Sequence, residues 1–220
     1  MGGSEICIEI IEQKNKGLSG ARNTALSNIK AKYVMLLDSD DILPENTIST
    51  MLDKAILTDA DILQGSWYSF DNVEKNETIL EEDGFLPGTC GHLSGYPWGK
   101  LYKSSILKHF QFPEGYWFED TPVTFILAAL PIKIVSIKDI IYGYRLNPNG
   151  ITSKSLYNPK SIDSFWITEL CLQEFTKFDL MYDQKAYEYL LRQTSVYKGY
   201  KRDKIEMRGD RAEISDFPLY

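Results

Sequence analysis

The sequence predicts an α/β fold in which helices flank a central sheet. Residues 33–37 read YVMLL, a continuous apolar run without alternation, which is typical of a strand covered on both faces. The next segment has the periodicity of one helix face, with apolar side chains at Ile48, Met51, Leu52, Ala55 and Ile56. Residues 61–70 then return to a strand-like composition. Strands and helices therefore alternate, as in a sheet with helices packed on it.

The first elements form one predicted βαβ unit. A strand over residues 7–12 leads to a helix over 19–29, and the strand over 33–38 follows. After the helix around 48–56, the strand over 61–70 is followed by a polar turn at 72–76 and by the second strand of a hairpin near 78–82.

The second half of the chain is less regular. Residues 84–95 carry turn signals and predict a surface loop. The further predicted elements are a short ordered segment at 97–102, a helical turn at 104–109, a helix at 119–130, strands at 132–137 and 140–146, helices at 160–178 and 184–200, and a mobile tail at 201–210. We expect one main hydrophobic core.

The composition narrows the classes of protein that the chain can represent. Its 220 residues carry a formal net charge of -7, which argues against a broad nucleic-acid footprint. Cys7, Cys90 and Cys171 are scattered and odd in number, which favours a reducing compartment over a disulfide framework. The longest apolar stretch, residues 125–137, is interrupted and too short to span a bilayer. A soluble, cytoplasmic protein is therefore expected.

Three carboxylates lie where the strand over 33–38 ends. Asp38, Asp40 and Asp41 are close enough in sequence to repel one another unless a cation or donor groups neutralise them. Ligands of parallel sheets collect beyond the carboxyl ends of the strands, and carboxylates suit Mg²⁺ or Mn²⁺. The alternative is the start of a helix near Pro44 and Glu45, where acidic side chains cap amides.

Four segments carry a resemblance to a known family. They are NKGLSGARN at 15–23, DSDD at 38–41, WGKLY at 98–102 and FEDT at 118–121. In sequence and spacing they resemble the signature of family 2 glycosyltransferases, and the combination is more specific than any one motif. The resemblance covers about residues 8–153. It implies a GT-A (Rossmann-like) fold with a mixed sheet flanked by helices.

The resemblance implies a role for each acidic motif. Asp38 and Asp40 match the family's metal-binding Asp-x-Asp, with Asp40 as the direct ligand and Asp38 on the metal, a metal-bound water or the nucleotide ribose. Asp41 stays open between contacting a metal ligand and capping a helix. Glu119 and Asp120 match the catalytic acidic pair, of which Asp120 is the expected base. The same two side chains also suit a helix N-terminus, and the two roles are compatible.

Further residues match the family's binding segments. Arg22 and Asn23 are implied on the nucleotide side, although Arg22 also suits an exposed helix surface. Trp98 and Lys100 match the segment that lines the acceptor side, although Trp98 is equally suited to the core. Arg145 is implied near the donor diphosphate.

The domain arrangement departs from the family in one respect. Members begin with further strands that hold the nucleotide base, and only about fourteen residues precede Asn15. We expect a partial GT-A domain over residues 1–157, truncated at its N-terminus, and a C-terminal helical extension over 158–220. The uncovered sheet edge favours a homodimer. A noncatalytic fragment or interaction module is the alternative.

The resulting expectation is a metal-assisted, inverting glycosyltransferase. It would move a sugar from a nucleotide-diphosphate donor, such as a UDP-sugar, to a hydroxyl of a glycan or lipid-linked glycan. Mg²⁺ or Mn²⁺ is the expected cofactor. No nucleic-acid partner is expected, and peripheral association with the inner face of a membrane would fit a lipid-linked acceptor.

Overall fold

The structure is a computed structural model that describes residues 7–81, 83–84, 93–148, 150 and 158–180, together with parts of 184–193. Its helices are α1 (Gly17–Ser27), α2 (Thr47–Thr58), α3 (Ser104–Leu107), α4 (Thr121–Phe125) and α5 (Asp163–Lys177). Two 3-10 helices cover Leu127–Ala129 and Pro159–Ile162. The strands are β1 (Tyr33–Met35), β2 (Ile62–Phe70), β3 (Lys75–Thr78), β4 (Asp83–Gly84), β5 (Lys100–Lys103) and β6 (Ile134–Arg145).

The six strands form one mixed sheet. Its order is β1-β5-β2-β6-β4, and β3 pairs with the second half of β2. β2 and β6 are parallel, whereas β5 is antiparallel to both β1 and β2. The carboxyl ends of β1, β2 and β6 therefore point the same way, and β5 starts on that side. The α/β prediction of a mixed sheet flanked by helices is confirmed.

The hydrophobic core lies on both faces of the sheet, because neighbouring strand residues point to opposite sides. Ile62 and Tyr102 belong to one buried cluster, with residues of α4 and α5. Leu63 and Leu101 belong to the other, with Met51 of α2. The expectation of one main core is wrong, since the sheet separates the buried side chains into two clusters.

The predicted strand over residues 7–12 is absent, and with it the first βαβ unit. Ile8 is 81% exposed and Ile10 is 83% exposed. Within the described residues no strand pairs with this segment, and backbone groups form a strand only when a neighbouring strand accepts their hydrogen bonds. The strand over 33–38 is also shorter and less buried than predicted, since β1 ends at Met35 and Leu37 is 49% exposed.

Local backbone conformation accounts for two further differences between the prediction and the structure. The predicted helix over 119–130 begins at Thr121, because Phe118 has a left-handed backbone, and it gives way to a 3-10 turn before Pro131. Leu130 is extended, as expected for a residue that precedes proline. The two predicted strands at 132–146 are one strand, β6, which bulges opposite Gly65. A Cβ at Gly65 would lie 2.4 Å from Ile141, so only glycine fits there.

The remaining predictions differ mainly in their boundaries. The β2–β3 hairpin is confirmed, but Asp71 accepts bonds from the amides of Val73 and Glu74, so the turn closes early and β3 begins at Lys75. The segment at 97–102 contains the first three residues of β5, which ends at Lys103. The helix over 160–178 corresponds to α5 and the 3-10 turn before it. Most of the loop at 84–95 and the tail at 201–210 lie outside the described residues.

The C-terminal helices pack on the sheet domain. Phe175 of α5 contacts Phe125 of α4, with ring centroids 4.7 Å apart. Described positions between 184 and 193 are helical, and Ala186 belongs to the same buried cluster. The domain boundary at 157 stays a prediction. In the described part of the chain, no helix combines the length and apolar character needed to cross a membrane.

Candidate active site

The loop after β1 brings the three aspartates to the carboxyl side of the sheet. The carboxylate of Asp38 accepts a bond from Arg22 at 2.8 Å, and its amide donates to the hydroxyl of Tyr142 at 3.2 Å. The side chain of Asp40 is exposed to solvent. Asp38 is thus held by protein groups, while Asp40 stays accessible from solvent.

Asp41 fastens this loop to β6. Its carboxylate accepts bonds from the hydroxyl of Tyr142 and from the amide of Arg145, both at 2.7 Å. Burial raises the pKa of Asp41, and the charges of Asp38 and Asp40 add to the effect. The helix-cap alternative is wrong, because α2 begins only at Thr47. Asp41 instead fixes the shape of the loop that carries the other two carboxylates.

Arg22 joins the two acidic motifs. Its guanidinium lies 2.8 Å from Asp38 and 3.0 Å from Glu119, which is 97 residues away in the chain. The Arg22 side chain is only 8% exposed, so the surface alternative does not hold. Its guanidinium also lies 5.2 Å from the ring centroid of Phe112. Arg22 therefore neutralises carboxylates from both the predicted donor side and the predicted catalytic pair.

Asn23 has a different set of partners. Its side-chain amide donates to the carbonyl of Phe112 and accepts from the amide of the same residue, both at 2.8 Å. These two bonds hold the segment on which Arg22 rests. The predicted nucleotide contact of Asn23 stays a prediction, and the structure commits its amide to the protein backbone.

The acidic pair lies at the start of α4. Phe118 has φ 63°, and this turn places Glu119 against Arg22 and Asp120 at the helix N-terminus. Burial raises the pKa of Asp120 to about 7, the neighbouring Glu119 adds to the rise, and Arg22 and Lys100 oppose it. A carboxyl with a pKa near neutral pH is suited to accept a proton. The geometry thus separates the pair into an ion-paired Glu119 and a distinct Asp120.

Lys100 is buried and organises the segment before β5. Its ammonium donates to the hydroxyl of Ser94 at 2.5 Å and to the carbonyls of Tyr96 and Trp98. Burial lowers the pKa of Lys100 to about 7, and Asp120 opposes the shift. Sequence reasoning missed Ser94 and Tyr96, because nothing local indicates that one lysine gathers these groups.

Trp98 belongs to the core, as one of the two alternatives predicted. It is 4% exposed, and its ring stacks on Tyr142 and on Tyr96. A contact between this segment and an acceptor stays a prediction.

Arg145 lies next to the aspartate loop. Its Nε donates to the carbonyl of Asp40 at 2.8 Å, and its guanidinium lies over the ring of Phe70 at 4.5 Å. A groove of about 740 Å³ runs beside it, lined also by Tyr144 and Asn72. The predicted position near a diphosphate is compatible with this location beside Asp40.

The carboxylates can supply part of a metal site. Among the described residues no group of three or more His, Cys, Asp or Glu side chains is arranged to hold an ion. Asp38 and Asp40 are two carboxylates on one loop, and Mg²⁺ is commonly held by one or two carboxylates together with substrate phosphates and water. The residues present therefore fit a cation that arrives with a diphosphate.

We expect Arg22→Gln to lower the free energy of unfolding by about 2–4 kcal/mol, because Asp38 and Glu119 lose the cation between them. Arg22→Lys should lose less, since an ammonium can still reach one carboxylate. Urea denaturation measures the difference. Lys54→Gln is a matched control, because the Lys54–Asp139 pair is about a third exposed or more and should cost less than about 1 kcal/mol. Equal losses in Arg22→Gln and Lys54→Gln would contradict the structural role of Arg22.

Comparisons with known proteins identify the class. The sequence matches Glycosyl transferase family 2 over residues 4–113. It is 30% identical to Glycosyltransferase GlyA of Streptococcus pneumoniae over 163 residues, covering 64% of this chain and 23% of GlyA. It is 28% identical to Glycosyltransferase GlyG of the same organism over 162 residues, covering 66% of this chain and 54% of GlyG. The chain thus spans about a quarter to a half of these relatives.

Solved structures show the same fold. The crystal structure of S. aureus TarS 1-349 in complex with UDP-GlcNAc has a TM-score of 0.66 and 17% identity, covering 91% of this chain and 59% of that one. The complex of TarS 1-349 with UDP has a TM-score of 0.63 and 18% identity, covering 92% and 58%. The shared fold is the GT-A fold of glycosyltransferases. The chain belongs to glycosyl transferase family 2.

Proposed function

We propose that this chain carries the catalytic part of a metal-assisted, inverting glycosyltransferase that uses a uridine diphosphate sugar. The observation that carries the proposal is the Arg22 bridge, which brings Asp38 and the Glu119–Asp120 pair to one side of the sheet. Transfer from a nucleotide sugar needs charge neutralisation at the departing diphosphate and a base for the acceptor hydroxyl. In this proposal, the motif at 38–41 holds the cation that neutralises the diphosphate, and the motif at 118–121 supplies the base.

In the proposed reaction, the acceptor hydroxyl oxygen attacks the anomeric carbon while the bond from that carbon to the diphosphate breaks. Asp120 accepts the hydroxyl proton, and attack from the face opposite the leaving group inverts the configuration. Asp38 and Asp40 would hold Mg²⁺ or Mn²⁺, which supplies positive charge for the leaving diphosphate when bound. Arg145, beside Asp40, adds a rigid set of donors on the same side.

The relatives support this proposal at the level of class. GlyA and GlyG are named glycosyltransferases, and the noncatalytic alternative is not favoured by them. The TarS structures contain UDP-GlcNAc and UDP, which supports a nucleotide-sugar donor for this chain as well. A glycan or lipid-linked glycan acceptor and a location at the inner face of a membrane remain predictions.

Calorimetry tests the proposed donor site. UDP should bind to the chain in the presence of Mg²⁺ and lose most of its affinity when a chelator removes the cation. Uridine, which lacks the diphosphate, serves as the control and should bind weakly under both conditions. No measurable UDP binding, or binding that is indifferent to the chelator, would contradict the proposal.

The open edge of the sheet predicts a homodimer. β1 pairs with β5 on one side, and within the described residues no strand covers its other side, where an unpaired edge favours association. Light scattering should show a dimer. If the exposed apolar side chains of Ile8 and Ile10 contribute to this contact, the double change Ile8→Lys and Ile10→Lys should shift the chain toward the monomer. Leu57→Lys, on the exposed side of α2, is the control and should leave the dimer intact.

A further inference from the structure

Three aromatic rings form a column that reaches the surface beside the acidic pair. The ring of Tyr142 stacks on Trp98 with centroids 4.6 Å apart and planes within 10°. Trp98 stacks in turn on Tyr96, at 4.4 Å and 9°. Exposure rises along the column, from 0% at Tyr142 and 4% at Trp98 to 43% at Tyr96. Tyr96 is therefore the solvent-facing end of a rigid aromatic stack.

Within the part of the chain that the structure describes, no neighbouring ring covers the outer face of Tyr96. A ring stacked on that face would lie about 7 Å or more from Trp98, since two van der Waals separations would intervene. Tyr144 is nearly parallel to Tyr96, with centroids 6.4 Å apart and planes 22° apart, but it lies only 5.3 Å from Trp98 and therefore sits beside the column. Trp67 meets Tyr96 at 76°, which is an edge contact. The described rings thus leave the outer face of Tyr96 unstacked, in keeping with the 43% exposure of this residue.

The segment that carries Tyr96 is fastened to the helix that follows Asp120. The ammonium of Lys100 binds the carbonyl of Tyr96 and the hydroxyl of Ser94. The hydroxyl of Thr124, in α4, donates to the carbonyl of Ser94 at 3.4 Å. Burial raises the pKa of Tyr96, and the charges of Tyr144 and Asp120 add to the rise, in keeping with a ring close to that carboxyl. The exposed ring and the proposed base are therefore held in a fixed relation.

We infer that the outer face of Tyr96 binds the apolar C–H face of a pyranose ring, and that this ring belongs to the acceptor. A flat aromatic side chain offers contact area at little conformational cost, and carbohydrate rings present C–H groups on one face. The inference rests on the proposed function and adds the acceptor subsite to it. The donor is assigned to the side of Asp38 and Asp40, whereas Tyr96 is tied to the element that presents Asp120.

Saturation-transfer NMR with methyl β-glucopyranoside and methyl β-N-acetylglucosaminide tests this subsite without an activity assay. In the native chain, irradiation of aromatic resonances should saturate the C–H protons of the ring face more strongly than the hydroxymethyl protons of at least one glycoside. Tyr96→Leu keeps an apolar side chain but removes the flat face, and should weaken binding by about tenfold. Tyr96→Phe should bind as the native chain does. Tyr116→Leu is the matched control, because Tyr116 is 45% exposed, and should change nothing.

Each other outcome contradicts the inference. Absence of saturation in the native chain, or glycoside binding retained in Tyr96→Leu, would overturn the subsite. Displacement of the glycoside by UDP-GlcNAc with Mg²⁺, but not by UDP with Mg²⁺, would place the donor's sugar on Tyr96 and overturn its assignment to the acceptor. UDP calorimetry reports on the proposed function separately: a chain that binds UDP but neither glycoside keeps its donor site and loses this inference. Absence of saturation in the native chain needs no variant, so the inference can be overturned even if Tyr96→Leu does not fold.

Discussion

Replacing Asp120 with asparagine is expected to slow glycosyl transfer by ~10² to 10⁴, the usual effect of removing a general base. Asparagine is nearly isosteric but cannot accept the proton of the acceptor hydroxyl. UDP affinity should stay within about twofold of the native value, because Asp120 does not contact the proposed donor side. Turnover measured with a full-length version of the enzyme, together with UDP calorimetry, checks both parts.

The pH dependence of glycosyl transfer is a second test of Asp120 as the base. Its pKa is about 7, and only the carboxylate form accepts a proton. The rate of transfer should therefore be low below pH 7 and should increase as the pH rises through about 7. Glu119→Gln removes a like charge and should lower that midpoint. Arg22→Gln removes an opposite charge and should raise it. Near-normal turnover in Asp120→Asn would show that another residue is the base. So would a pH midpoint of transfer that is the same in Glu119→Gln, in Arg22→Gln and in the native chain. Glu169→Gln, on the exposed side of α5, is the control.

Asp40→Ala is expected to remove the cation dependence of donor binding. The exposed carboxylate of Asp40 is the group best placed to bind a cation that bridges to the diphosphate, since Asp38 already accepts a bond from Arg22. In the presence of Mn²⁺, UDP should bind about 100-fold more weakly than to the native chain. With a chelator present, the two chains should bind UDP equally weakly.

A matched change separates this effect from a general loss of negative charge. Asp53→Ala removes an exposed carboxylate from α2, away from the sheet edge, and should leave Mn²⁺-dependent UDP binding as it is. Unaltered Mn²⁺-dependent binding in Asp40→Ala would show that Asp40 is not a metal ligand. A thermal unfolding curve for each variant confirms that the comparison is made between folded proteins.

The sequence predicted the fold class and the acidic motifs because both depend on local patterns. Apolar runs and helical periodicity are properties of neighbouring residues, and DSDD and FEDT can be recognised without knowing what they contact. The prediction of a strand over residues 7–12 is wrong because strand formation depends on a pairing partner from elsewhere in the chain. Pro131 accounts only for the extended backbone of Leu130, since proline disfavours a helical conformation in the residue before it, and it does not explain why α4 already ends at Phe125.

Contacts between distant segments could not be predicted from local sequence patterns. That Arg22 lies between Asp38 and Glu119 depends on how α1 packs beside the sheet, and no residue spacing encodes it. The same holds for Asn23, whose amide binds the backbone of Phe112. Tyr96 carries no motif signal, and its importance follows only from the stack beneath it.

The Arg22 bridge also bears on the order in which ligands arrive. Carboxylates crowd this side of the sheet, and the bridge uses Arg22 for two of them, Asp38 and Glu119, before any ligand is present. Arg145, beside Asp40, offsets only part of this charge, so an approaching bare diphosphate would still meet a net negative field, whereas a diphosphate already complexed with a divalent cation carries less negative charge. In the proposed reaction, the donor and its cation would therefore bind most favourably as one unit. An acceptor, which carries its reacting hydroxyl as a neutral group, is not subject to this electrostatic barrier.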